Sequence, residues 1–199
     1  MLLTGFQPFT TGQGQVLAPT LTADIAVQVA ARVDGVNAAV LPVSYSATPL
    51  AFHHLLESHQ PRLWIGLGYA PHRTTLDIEL LAVNIEHASR GDNDGDQPWM
   101  REVVPGGANA YRTRLDIPFS ISILAAQGVD AVPSCHAGTF LCNQVFYLGC
   151  HQCESGSLEL AAFIHVPPMA DYAPLIAGLA ALLEVPHTRL LTNTTRSLG

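Results

Sequence analysis

The sequence predicts a three-layer α/β/α sandwich built on a mainly parallel, twisted sheet. Three observations carry that reading. Strand-like apolar blocks alternate along the chain with blocks whose apolar residues recur every three or four positions, the pattern of linked βαβ units. The runs over 62–67 and 158–166 are apolar almost throughout, as strands covered by helices on both faces must be. Hydrophobic residues make up 48% of 199 residues and charged ones 13%, which suits one well-buried core and excludes a disordered chain.

The elements follow in order. Residues 1–4 form a short apolar strand stopped at Gly5. A turn-rich stretch over 12–19 leads into a helix over 20–33, where Leu21, Ile25 and Val29 repeat every four residues. A strand over 36–43, a helix over 48–58 and a buried strand over 62–67 come next, the last ending at Gly68. The block 76–85 is rich in strand formers, and the polar, Gly- and Pro-bearing stretch 90–105 reads as a loop. A helix over 117–127, a strand over 128–132, a helix over 140–150, a strand over 158–166 and a helix over 171–183 complete the pattern. There is no internal repeat or linker, so one domain is expected over 1–185. A tail over 186–199, without a clear period, is expected to be mobile. In such folds functional groups gather at the carboxyl ends of strands, which directs attention to the loops after Gly5, Gly68, Pro133 and Val166.

Charge narrows the function classes. The formal net charge of −7 argues against nucleic acid and anionic membranes as partners. All nine basic residues are Arg, which removes Schiff-base chemistry and a Lys-bearing phosphate loop. The opening residues lack the basic and long apolar regions of an export signal, and no apolar run reaches 18 residues. A cytoplasmic location with four free thiols, Cys135, Cys142, Cys150 and Cys153, is the expectation.

Several motifs carry little. Gly66-Leu67-Gly68 mimics a dinucleotide fingerprint, but Pro71 stands where its third Gly belongs. Asp92-Asn93-Asp94-Gly95-Asp96 resembles a calcium loop with Gly too early and Val103 in place of the bidentate Glu, so a solvated turn is expected. Cys150-His151-Gln152-Cys153 lacks a second pair at zinc-site distance and reads as two buried thiols. His53-His54 reads as a solvated helix face. No metal site is expected.

Three residues carry more. Ser134-Cys135-His136-Ala137-Gly138-Thr139-Phe140-Leu141-Cys142-Asn143 reads as strand, turn and helix start, which places the Cys142 thiol at free backbone N–H groups and the positive end of a helix dipole. Both favour the nucleophilic thiolate. His165 ends an apolar strand, and a ring there needs a partner. Glu79, inside the run Leu76-Asp77-Ile78-Glu79-Leu80-Leu81-Ala82-Val83-Asn84, can orient a His as the third member of a triad does. Taken singly, each also reads as an ordinary structural residue.

Together these segments resemble the pyroglutamyl peptidase I family, or pyrrolidone carboxyl peptidases, cytosolic cysteine peptidases of α/β/α fold. Leu3-Thr4-Gly5-Phe6-Gln7-Pro8-Phe9 is similar to the family's opening, and the segment from Gly68 to Asn84 to the one bearing its catalytic Glu. Ala137-Gly138-Thr139-Phe140-Leu141-Cys142-Asn143 is similar to the nucleophile segment, and Phe163-Ile164-His165-Val166-Pro167 to the one with its catalytic His. The order is collinear up to about Leu183. Departures lie at Thr10-Thr11, Ala18-Pro19-Thr20, Asp77, Leu80 and His136, and bear on substrate affinity more than on chemistry.

The resemblance implies an omega peptidase that removes an N-terminal pyroglutamyl residue through a thioester. Cys142 is then the nucleophile, His165 the base and acid, and Glu79 its orienting group. Phe6, Phe9 and Phe140 would wall the lactam, backbone near Tyr69 would pair with it, and Arg90 would stand close by. Neither metal nor organic cofactor is implied, and the family suggests a homotetramer. Two other readings stand beside it: a weak or inactive family member that binds lactam-capped peptides, and a thiol redox protein using Cys150 and Cys153.

Overall fold

The computed structural model describes residues 1–10 and 16–192. The chain runs through β1 (Leu2–Phe6), a two-stranded excursion of β2 (Phe9–Thr10) and β3 (Val16–Ala18), α1 (Leu21–Ala30) and β4 (Asn37–Leu41). It continues through α2 (Ala47–His59), β5 (Leu63–Tyr69), β6 (Leu76–Glu79), β7 (Leu81–Val83) and β8 (Ala110–Arg112). Then come α3 (Ile117–Ala126), β9 (Ala131–Ser134), α4 (Leu141–Glu154), β10 (Leu160–Val166), α5 (Ala173–Glu184) and α6 (His187–Leu190).

Six strands form the central sheet in the order β4-β1-β5-β10-β6-β9. The first four are mutually parallel, whereas β6 runs against β10 and carries β9 parallel to itself. Side chains alternate between the faces. Leu3, Ile65 and Ile164 enter the core under α1, α3 and α5. Their neighbours Leu2, Trp64 and Phe163 enter the core under α2 and α4. The three-layer sandwich is therefore as the sequence predicts.

The differences are local. The block 76–85 is two strands, because the chain changes partners at Leu80. Its amide bonds Ser134 in the main sheet, and its carbonyl accepts from Thr113, which starts the separate β7–β8 ribbon. The strand expected over 128–132 starts later: Gly128, at φ +75°, closes the end of α3 instead. The loop over 90–105 is pinned by Asp92, which is buried. Its carboxylate accepts from the amides of Tyr45 (2.6 Å), Asp94 and Asp96 (2.9 Å each), so the turn is solvated at Asn93, Asp94 and Gly95 as expected, while Asp92 itself is a structural anchor. Past residue 185, α6 buries Leu190, and Leu191 bridges to Leu115. The rest of the expected tail, 193–199, lies outside the described residues.

Candidate active site

Topology opens the site. From β1 the chain crosses by α1 to β4 on one side, and from β4 it returns by α2 past β1 to β5 on the other, and α1 and α2 cover opposite faces. The β1/β5 boundary is thus the switch point of the sheet, where such folds leave a crevice beyond the strand ends. The β1–β5 ladder stops at Thr4–Gly66, yet β5 runs on to Tyr69 against β10. The β1 side of residues 67–69 is left without a strand partner, and a cleft lies there. Phe6, Gln7, Phe9, Val43, Tyr69, Phe140 and Cys142 line it, with Ala18, Pro19, Thr22 and Leu141. Among these described residues there is no charged side chain.

Cys142 is the second residue of α4, whose N-cap Phe140 is extended. The first amides of the helix have no helical acceptor and face the same end as the thiol. α4 is held in place by Asn143, fully buried, whose side chain accepts from Val83 N (2.9 Å) and donates to the carbonyls of Val83 (2.8 Å) and Ile85 (3.0 Å). Thr139 ties the turn before it to His87, donating from Oγ1 to the carbonyl at 2.7 Å.

His165 sits near the end of β10, 7% exposed, and Glu79 ends β6 at 0% exposed. His165 Nδ1 lies 2.7 Å from Glu79 Oε1. A carboxylate there orients the ring with Nδ1–H toward Glu79 and leaves Nε2 for Cys142. Burial pushes the His165 proton affinity down. The charge and hydrogen bond of Cys142 push it up, Glu79 adds to that, and the net result is a pKa raised to about 9. Phe163 meets the ring edge-on at a 5.1 Å centroid distance.

Gly66-Leu67-Gly68 has a structural explanation unrelated to nucleotides. A Cβ on Gly66 would stand 2.6 Å from both Phe163 and Trp64, and one on Gly68 would stand 2.8 Å from both the Cys142 sulfur and Phe163. Two missing methyls let β5 pass between an aromatic core and the thiol.

A match to the pyroglutamyl peptidase family model extends over residues 1–180. The chain belongs to the pyroglutamyl peptidase family. A pyrrolidone-carboxylate peptidase of Clavibacter michiganensis is 35% identical over 176 residues, covering 87% of this chain and 80% of the relative. One from Pyrococcus furiosus is 34% identical over 175 residues, covering 84% and 80%. The solved structure of a mutant pyrrolidone carboxyl peptidase from Pyrococcus furiosus superposes with a TM-score of 0.84 at 30% identity, covering 96% of this chain and 99% of that one.

Within this family member the fold brings seven of the eight expected residues to one place: Glu79 paired with His165 and Cys142 beside that ring, and Phe6, Phe9, Tyr69 and Phe140 around the adjoining cleft. The eighth, Arg90, is exposed and lies outside that cleft. It lines a neighbouring surface depression with His87, Ala88, Ser89 and Thr139, separated from the first by Phe9 and Phe140. Cys150 and Cys153 are buried in α4. Burial pushes the Cys150 thiol far up and the Cys153 thiol up to about 11, which leaves both poor nucleophiles. Sequence reasoning missed Arg73, whose Nη2 lies 3.7 Å from Glu79 Oε1, and Tyr45, which meets Phe140 edge-on at 5.3 Å with its own hydroxyl buried and unpartnered. Only the position of Arg73 four residues before Asp77 in the sequence hints at its pairing.

Proposed function

We propose that this chain is a cysteine-type pyroglutamyl peptidase that releases N-terminal pyroglutamate from peptides. The observation that carries the reading is the Glu79–His165–Cys142 line at the edge of an uncharged, aromatic-walled cleft. Pyroglutamate is a flat lactam without an ammonium group, and an uncharged cleft suits it. Backbone near Tyr69, on the edge of β5 that β1 leaves unpaired, would pair with the lactam N–H and C=O. Phe6, Phe9 and Phe140 supply the walls.

Chemistry follows from the protonation pattern. With His165 protonated and paired to the Cys142 sulfur, the thiolate attacks the scissile carbonyl. The oxyanion that forms meets backbone N–H groups at the start of α4. His165 then gives its proton to the leaving amine, and a thioester of pyroglutamate remains on Cys142. Water, deprotonated by His165, hydrolyses it. Glu79 keeps the ring oriented and stabilises its cationic form throughout. Arg90, across the Phe9–Phe140 partition, would meet the part of the peptide that leaves.

Cytoplasmic action as a homo-oligomer, a tetramer by family likeness, completes the reading. Hydrolysis of a pyroglutamyl chromogenic amide by purified protein, with Cys142→Ala as control, tests the activity, and sedimentation of the same sample tests the assembly. Turnover by wild type and none by the variant is expected. Tight binding of pyroglutamyl peptides without turnover would favour the inactive-binder reading instead.

A further inference from the structure

β6 carries two buried carboxylates, Asp77 and Glu79, two residues apart and therefore on one face of the strand. Asp77 is also the cross-strand partner of His165 in the β6–β10 ladder. One imidazole thus stands beside two acidic side chains. Arg73, in the turn before β6, resolves the imbalance. Its guanidinium pairs with Asp77 through Nη1, which also reaches Ser134 Oγ at 3.3 Å. Its Nη2 donates to the His136 carbonyl at 3.2 Å and lies 3.7 Å from Glu79 Oε1. The other Asp77 oxygen accepts from Thr75 Oγ1 at 2.8 Å. Among the described residues, Arg73 is the one cation besides His165 within ion-pair distance of Glu79.

We infer that Arg73 and Asp77 form a charge-compensated clamp that tunes the Glu79–His165 pair, with Arg73 cancelling the Asp77 charge so that His165 responds to one carboxylate rather than two. Both are positioning residues that act through Glu79 and His165. The inference rests on the proposed role of that pair.

Among the described residues, the groups around His165 are few. β6 presents Asp77 and Glu79, α4 presents Cys142, and β5 presents Tyr69, across from Val166. The flanking turns present Arg73 and His136, and the latter's ring is engaged with the Gly138 amide at 2.8 Å. The signs follow. Loss of the Arg73 charge leaves Asp77 uncompensated beside His165, and the imidazolium is held more tightly. Loss of the Asp77 charge leaves a bare guanidinium, and the imidazolium is held less tightly. Removing both returns the local charge to its starting value.

The experiment is a titration of His165 by NMR on ring-labelled histidine, assigned with His165→Gln, alongside the alkaline limb of kcat/KM on a pyroglutamyl amide. One charge acting at this range, through a partly solvated path, should move the titration by roughly half a unit to one unit. Arg73→Gln should move it up and Asp77→Asn down, while the double variant and Arg73→Lys should stay close to wild type. A merely structural role would lower activity and thermal stability without opposed shifts. If Asp77→Asn cannot be purified, the contrast between Arg73→Gln and Arg73→Lys carries the test. Shifts of the same sign in both single variants, or no shift in Arg73→Gln, would overturn the clamp. The NMR titration needs no substrate, so failure of the clamp is separable from failure of the proposed peptidase activity.

Discussion

Replacing Gly68 by Ala adds one methyl between β5 and the Cys142 thiol. Its carbon would stand 2.8 Å from the sulfur, 2.8 Å from Phe163 Cε1 and 3.0 Å from Phe163 Cζ, where ordinary contact begins at 3.4 Å. Something must yield by about 0.6 Å on each side. Phe163 is fully buried among Trp64, Phe146 and His165 and has little room to move. The backbone of α4 is held by the three Asn143 hydrogen bonds. The displacement therefore falls on the sulfur, away from the geometry that His165 and the helix amides share. A misplacement approaching 1 Å costs up to about a hundredfold in rate, so kcat/KM should fall roughly ten- to a hundredfold. Overpacking should cost about 1–3 kcal/mol of stability as well. Gly66→Ala is the control, because its methyl meets Phe163 and Trp64 but not the sulfur, and it should lose stability with a smaller loss of rate. Kinetics on a chromogenic pyroglutamyl amide, with thermal melting of each variant, separates the two effects. Full kcat/KM in Gly68→Ala would show that the sulfur does not need the space this glycine leaves.

Other predictions concern the same cleft. Glu79→Gln should leave measurable activity where Cys142→Ala and His165→Ala leave almost none, because an orienting acid tunes the base while the nucleophile makes the bond; complete loss in Glu79→Gln would instead indicate direct proton transfer. The His165 proton affinity is raised in the fold, so its contribution to stability is complete below pH 6.5 and disappears as pH rises through about 9; melting curves across that window should show a decline that His165→Gln flattens, and an unchanged slope would refute it. Prolyl amides should be at least ten- to a hundredfold poorer substrates than pyroglutamyl ones, since an unpaired lactam-oxygen site costs about 1–3 kcal/mol and the Pro ammonium meets no carboxylate among the described residues that line the cleft. Comparable kcat/KM for the two would sink this account of specificity.

The sheet and its helices were legible because their signals are local. Continuous apolar strands and four-residue helical spacing survive in any tertiary context, and the strands ending near Gly68 and Val166 appear close to where they were expected. Boundaries decided by partner exchange were not legible. Nothing in 76–85 announces that the Leu80 carbonyl leaves the main sheet for Thr113, because that choice depends on a segment more than thirty residues away. Asp92 misled in the same manner: an acidic, Gly-bearing run reads as solvated, and only the distant Tyr45 amide makes it a buried anchor. Glu79, Cys142 and His165 were each ambiguous alone and became a site through their collinear likeness to a family. Arg73 carried no signal beyond its four-residue spacing from Asp77, since its worth lies in facing Asp77, Ser134 and Glu79 at once. Gly68 was visible as a glycine, but the sulfur that requires it was not.

The central claim is that the Cys142 sulfur bonds to the pyroglutamyl carbonyl. Acid quenching of the enzyme during turnover of an activated pyroglutamyl ester, followed by mass spectrometry of the intact protein and its peptides, tests this most directly. The account predicts one pyroglutamyl group per chain, on Cys142, absent from Cys142→Ala and accumulating in proportion to the burst of released alcohol. Steady turnover with no adduct and no burst would not decide, so the same quench is made on a slowly deacylating analogue that must accumulate if the thioester forms. Turnover of that analogue with Cys142 unmodified, or an adduct mapped to Cys135, Cys150 or Cys153, would contradict the account.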